Sequence, residues 1–454
     1  MPAADLAWML SAFGLVLLMF PGIALFYGGM LNSRSVLNMF MMIMGSMAVT
    51  AVIYVLFVHG LVLGNSVGGA GIIGDPTAYL GFQSFMEDTG DGETTIGADA
   101  YWGAFYILFA AISIAIVASG AAGRMRYGAW LVFSALWVVL VYAPLAHWVF
   151  AFGDEENGVV GGWMRTQLGL HDYAGGTAVH MNAGASAVAL AMVLGARRGN
   201  TGRPHNLPLV LLGAGLLFFG WIGFNGGTAG GANFLAGYVT LTTLLAALTG
   251  VIGYLLVERI REGHATVLGM ATGLISGLVA ITPAADAVSP LGALATGFLG
   301  GGIVALIMGW KHRLKIDDSL DAFSVHGIGG IVGALFVVFF AAAAAPAGIA
   351  GIATGGGLDL LWRELVAIVV TVAYSFGVTY AIAWGMNKVS PIRVDEEAEH
   401  AGLDLVLHAE TAYDLERSAP VSPVLSSAVP GPVEPGGDAS REEVGAASAG
   451  GARA

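Results

Sequence analysis

Two histidines carry the chemistry this sequence offers. His180 sits within DYAGGTAVHMNAGASA, residues 172–187, and His326 ends DSLDAFSVH, residues 318–326. Each follows an aspartate, Asp172 or Asp318, by eight positions, and each enters a run of Gly, Ala and larger apolar residues. On a helix eight residues cover about 12 Å, and the apolar core of a bilayer is roughly 30 Å thick. A helix that enters the membrane at its aspartate therefore holds its imidazole near the midplane. An ionisable group there is costly and marks a functional site. Two such helices entering from opposite faces would bring His180 and His326 together, the expected geometry of an inverted repeat with a central site. Histidines that merely hydrogen-bond one helix to another are the plainer alternative; the recurrence of the whole motif weighs against it.

The elements that position these groups follow from composition. The chain of 454 residues is 56% hydrophobic and 11% charged, against roughly 45–50% and 25% in soluble domains, and its mean hydropathy is +0.77. This is an all-α polytopic membrane protein. Apolar stretches fall at 6–31, 36–63, 99–121, 127–150, 174–196, 207–225, 233–256, 267–283, 290–310, 325–345 and 360–387, which predicts eleven transmembrane helices. Residues 1–31 carry no basic region ahead of a long apolar run, so the first segment is expected to be retained. Basic residues such as Arg34, Arg124, Arg126, Arg197, Arg259, Arg261, Arg313 and Lys388 fall in alternate loops or just past the last helix. The opposite loops hold only Arg165 and Arg363, beside many acids. The positive-inside rule then puts the N-terminus outside and the C-terminus in the cytoplasm.

Eleven helices divide as five, five and one. Halves at about 6–196 and 207–345 end in the His180 and His326 helices, with 360–387 as a last long helix. An odd number per half forces a pseudo-twofold inverted arrangement. FYGG at 26–29 also echoes FNGG at 224–227. Residues 1–391 thus form the transmembrane domain, and 392–416 read as an ordered cytoplasmic segment. Residues 417–454, low in complexity and poor in large apolar residues, are expected to be disordered.

Several chemistries are excluded. The chain has no cysteine, which removes disulfides, thiolate metal sites and cysteine nucleophiles. No HxxH or HExxH occurs, and each acid lies about 12 Å along the helix from its histidine, so no metal site is expected. Without a phosphate-cradling loop or a serine-nucleophile elbow, neither ATP-driven pumping nor an enzyme is supported. No cofactor is implied.

The motifs DYAGGTAVHMNA, PGIALFYGGM at 21–30, YAPLAHWVF at 142–150, GWIGFNGG at 220–227 and FSVHGIGGIVG at 323–333 together resemble the ammonium transporter (Amt/Mep/Rh) family, from about residue 6 to about 414. The resemblance implies a homotrimer with one pore per protomer in the cell membrane. Its outer recruitment site matches Phe105, Phe150 and Thr228, and its phenylalanine gate matches Phe109 and Phe224. The twin pore histidines match His180 and His326. Asp172 is expected to accept N-terminal backbone N–H groups of its helix, with a direct pull on the cation as the alternative; Asp318 and Asp321 are expected to cap the mirrored helix. His147 is expected to be packed or hydrogen-bonded rather than a pore ligand. Bacterial members usually carry Trp at the position of Phe150 and Ser at that of Thr228, so a weaker outer ammonium site is expected here. The segment 392–416 resembles the family's regulatory C-terminus and implies a PII-type signal protein as partner.

The implied chemistry is coherent. Ammonium and potassium match in charge and nearly in size, but only ammonium can lose a proton and leave a small neutral molecule. A mouth lined with π faces and a hydroxyl, then a dry passage with uncharged polar groups, selects on that difference. Two competing readings are a Rh-like gas channel for ammonia or carbon dioxide and a transporter-like ammonium sensor. The latter is disfavoured by the absence of a signalling domain after the last helix. A cation-coupled carrier of another solute lacks a buried carboxylate cluster.

Overall fold

The computed structural model describes residues 1–91, 94–198, 204–313 and 316–413. The disorder expected over 417–454 lies outside the described residues. Among the described residues the chain is all helical, with no β-strand. Ten helices are long and apolar enough to cross a membrane: α1 (Ala3–Met30), α2 (Val36–Leu63), α3 (Asp99–Ala121), α4 (Tyr127–Phe150), α5 (Gly176–Leu194), α6 (Leu207–Thr228), α7 (Phe234–Glu262), α9 (Pro290–Ile307), α10 (Phe323–Phe340) and α11 (Asp359–Val389). Between α7 and α9 lies α8 (Val267–Ile281), apolar but only 15 residues long. Pro283 lacks the N–H that the ladder needs next, and the chain turns there.

The helix starts are written locally. Asn206, Asn233, Thr266 and Ser289 each accept a main-chain N–H three residues on, from Leu209, Ala236, Gly269 and Gly292. These side chains satisfy donors that a helix N-terminus leaves unpaired. Proline stands in the first turn of α6 and α9, as Pro208 and Pro290, where a missing N–H costs nothing.

Packing places α3 and α5 at the centre and leaves α11 largely on the periphery. The second half of α1 lies against α6, α7 against α8 and α9, and α11 against α5. The α5–α10 crossing is close-packed. A Cβ on Gly184 would overlap the Gly327 backbone, and one on Gly330 would sit 2.8 Å from the Gly176 carbonyl oxygen. Each of these glycines is four residues past its histidine, so one small residue on each helix lets the opposite helix start approach.

At the end that holds Asp318, a buried Arg124 ties the loops together. Its guanidinium donates to the carbonyls of Gly195, Gly120 and Asp317 at 2.7, 2.6 and 2.7 Å, and it faces the Asp317 carboxylate at 3.6 Å. Burial lowers the Arg124 pKa to about 10, against the pull of Asp317, so the group stays charged at neutral pH. Burial pushes the Asp317 carboxyl up, but Arg124 and Arg197 outweigh it and hold the carboxyl below its ordinary range. The C-terminal segment folds onto the same end through α12 (Glu396–Ala401) and α13 (Leu403–His408). Buried Asp404 accepts the N–H groups of Val36 and Asn38 at the start of α2, at 3.0 and 2.7 Å. Arg393 meanwhile joins Glu399 to the Leu194 carbonyl.

Candidate functional site

Helices α5 and α10 both open with a wide turn. Gly176–Met181 and Phe323–Ile328 are π-helical, and each contains its histidine. In α5 the His180 N–H reaches back to the Gly175 carbonyl, five residues earlier, at 3.2 Å. Such wide turns rotate a side chain off the regular helical register and recur at functional sites. Sequence periodicity gave no sign of them.

The acids set these starts. Gly175, Gly176 and Thr177 donate their main-chain N–H groups to Asp172 at 2.8, 2.8 and 2.7 Å, and Gly175 takes φ 101°, where a side chain would strain. Asp172 is 0% exposed. In the mirrored position Asp318 accepts the Phe323 N–H at 2.7 Å and a hydrogen bond from the Ser119 hydroxyl. Asp321 differs: its main chain turns at φ 64°, and it is its carbonyl that accepts the Val325 N–H.

His180 and His326 come together, Nδ1 to Nδ1 at 3.2 Å with ring centroids 5.2 Å apart. Only 1% and 6% of their surfaces are exposed. One Nδ1 must donate and the other accept, because two N–H groups or two lone pairs would repel. Trp221 stacks on His180 at 5.1 Å between centroids and anchors its indole N–H on Thr282 Oγ1 at 2.9 Å. The cavity beside the pair is apolar, lined by residues such as Ile23, Ile112, Ile116 and Leu217, and has a volume of about 10 Å³. That is barely room for one water, and the polar groups among the lining residues are those of Tyr27, His180, Trp221 and His326.

Phe224 lies 6.1 Å from His180 and stacks flat on Phe109, with centroids 4.1 Å apart and planes at 9°. Beyond this plug opens a cavity of about 470 Å³ lined by Phe105, Phe109, Phe150 and Thr228. Phe105 and Phe150 stand 5.0 and 6.2 Å from Phe109. Thr228 donates its hydroxyl proton to the Phe224 carbonyl at 2.8 Å, which leaves its oxygen as an acceptor. The seven residues singled out from sequence are thus brought together, as a run of ring contacts from His326 to Phe105 and Phe150 and, with Thr228, as walls of one cavity. His147 takes no part in it; its Nδ1 pairs with the Val62 carbonyl at 2.8 Å.

Sequence reasoning missed Trp102, Tyr106, Arg165, His171, Tyr173 and Asp286, which line the same mouth, and Trp221 beside the histidines. Helical spacing alone could have found some of them. Trp102 and Tyr106 share a face with Phe105 and Phe109, as Trp221 does with Phe224 and Thr228. The His171–Asp286 pair is 115 residues apart in sequence and left no local signal.

Comparison with known proteins adds an independent line. A family profile described as Ammonium Transporter Family matches residues 7–413. An ammonium transporter of Corynebacterium glutamicum is 60% identical over 415 residues, 91% of this chain and 90% of that one. The crystal structure of Saccharomyces cerevisiae Mep2 superposes with a TM-score of 0.76 at 31% identity, covering 87% of this chain and 88% of that one. A solved structure described as a sensor Amt protein gives a TM-score of 0.79 at 26% identity, covering 88% of this chain and 97% of that one.

Proposed function

Because the chain belongs to the ammonium transporter family, we propose that it conducts ammonium along the line just described, by shedding a proton at the plug and passing ammonia between the imidazoles. A cation at the mouth meets the faces of Phe105 and Phe150, each worth about 0.5–2 kcal/mol as water is stripped away, and the Thr228 oxygen. The Phe109–Phe224 stack excludes hydrated ions. A cation beyond it would lose its water in a cavity with almost no polar lining, so the neutral form passes and potassium, which has no proton to lose, does not. His180 and His326 offer the guest ring nitrogens in a place otherwise apolar. The observation that carries this reading is the 3.2 Å contact between the two Nδ1 atoms directly behind the aromatic plug.

The reading extends to the whole molecule. Helices α1–α5 and α6–α10 form inverted halves, with α8 the eleventh membrane helix although it is short. The reciprocal glycines Gly184 and Gly330, the matched wide turns and the matched acids Asp172 and Asp318 support the inversion. The N-terminus lies outside and the C-terminus in the cytoplasm, in keeping with the basic loops at the Asp318 end. Asp172 and Asp318 are structural acids that hold the histidine helices. Residues 1–391 form the transporter domain of a homotrimer in the cell membrane, and 392–416 form the cytoplasmic platform for a PII-type protein.

Proteoliposomes given equal pulses of ammonium and potassium test this. Ammonium is expected to evoke a saturable response that potassium does not; equal responses overturn the reading. A response in internal pH without current identifies the gas-channel alternative. Binding without flux identifies the sensor reading, which the likeness to the sensor Amt structure keeps in play.

A further inference from the structure

The mouth holds a carboxylate that the recruitment scheme above leaves unused. Asp286, in the turn after α8, lines the same cavity as Phe105, Phe150 and Thr228. Its Oδ1 lies 2.9 Å from His171 Nε2, and both side chains are 13% exposed, so they are sheltered yet in reach of solvent. Both partners are fastened by other elements. The His171 main-chain N–H donates to Glu364 Oε1 on α11 at 2.9 Å, and the Asp286 carbonyl accepts from Ala347 N–H at 3.0 Å.

Two further charged residues, Arg165 and Asp172, border the same cavity. Arg165 turns its guanidinium to the carbonyls of Val149 and Asp172. Asp172 is enclosed by its three N–H donors, and Glu364 is fully buried. Asp286 Oδ2 has no partner among the described residues, while Oδ1 is fixed by the imidazole.

We propose that Asp286, positioned by His171, is a cation-recruiting carboxylate of this mouth and sets the apparent affinity for ammonium. With the imidazole bonded through Nε2, the carboxylate is held beside an aromatic wall. A fixed charge in a low-dielectric cleft concentrates cations in it. His171 keeps the carboxylate at the wall. The inference rests on the mouth being where ammonium is recruited.

Ammonium flux into proteoliposomes holding the full chain, at low and at high ionic strength set by an impermeant salt, tests it. Asp286→Asn is expected to raise the half-saturating ammonium concentration about three- to tenfold at low salt. The rise should shrink at high salt, because screening acts on charge and not on shape. Asp286→Glu should restore most of the affinity, and His171→Gln should fall between. An unchanged half-saturation in Asp286→Asn, or a rise that salt does not alter, overturns the proposal. If Asp286→Asn fails to insert, Asp286→Ser carries the same two outcomes. Phe105→Ala and Thr228→Val separate the two levels. If they raise half-saturation while Asp286→Asn does not, this inference alone fails; if all are silent, recruitment at this mouth fails with it.

Discussion

Replacing Asp172 with alanine removes the acceptor of three buried N–H groups, those of Gly175, Gly176 and Thr177. Asp172 is itself 0% exposed, although it borders the outer cavity. Each orphaned donor costs about 1–3 kcal/mol, which gives roughly 3–9 kcal/mol for the set. That is comparable with the whole stability of many domains, about 5–15 kcal/mol. Asparagine is milder. One amide oxygen can still serve Gly175 and Gly176, but the NH2 then faces the Thr177 N–H and leaves that one donor unpaired, at a cost of about 1–3 kcal/mol. Thermal melting in detergent, paired with ammonium flux per folded molecule, reads both effects. Melting points should fall in the order wild type, Asp172→Asn, Asp172→Ala, and the folded asparagine variant should keep most of its flux. An alanine variant that melts with the wild type but conducts nothing would refute the structural role and assign the carboxylate to the guest.

Three further outcomes follow from the geometry. Phe150→Trp should tighten ammonium binding by a few fold, since indole is the stronger cation–π face; calorimetric titration showing unchanged affinity counts against Phe150 as a mouth residue. The Asp317 carboxyl is held below its ordinary range by Arg124 and Arg197 despite burial. Its contribution to stability is therefore complete above the unfolded value, about 4, and is lost as pH falls through the lower folded value. The melting-point gap between wild type and Asp317→Asn should be constant near neutrality and close below about pH 4; a gap that widens in acid contradicts the sign. Full-length protein, but not residues 1–390, should capture a PII-type protein in a pull-down, and equal capture by both removes that partner from this face.

Much of this was legible in the sequence because bilayers impose their own arithmetic. The observed α2 and α3 begin and end at the residues expected, 36–63 and 99–121. The paired histidines announced themselves because an ionisable group amid Gly and Ala is conspicuous. Other features depend on contacts between distant segments. The apolar stretch 267–283 includes the turn at Pro283, whereas the helix itself covers only Val267–Ile281. Trp221 gives no sign of its own in the apolar pattern, and its stacking on His180 depends on a contact between two helices. The wide turns at both histidines leave the apolar pattern unchanged, and so leave no periodic signature. Asp321 looked like a second cap by position, but its positive φ spends its main chain on a turn and leaves the Phe323 N–H to Asp318.

Conduction depends on passage of the guest between His180 and His326. Initial ammonium flux in proteoliposomes, measured for wild type and for His180→Ala after both are shown to melt alike, tests it most directly. Losing the imidazole pair should cut the initial rate at least about tenfold, the effect of about 1.4 kcal/mol at the barrier. A His180→Ala protein that carries ammonium at the wild-type rate would contradict it.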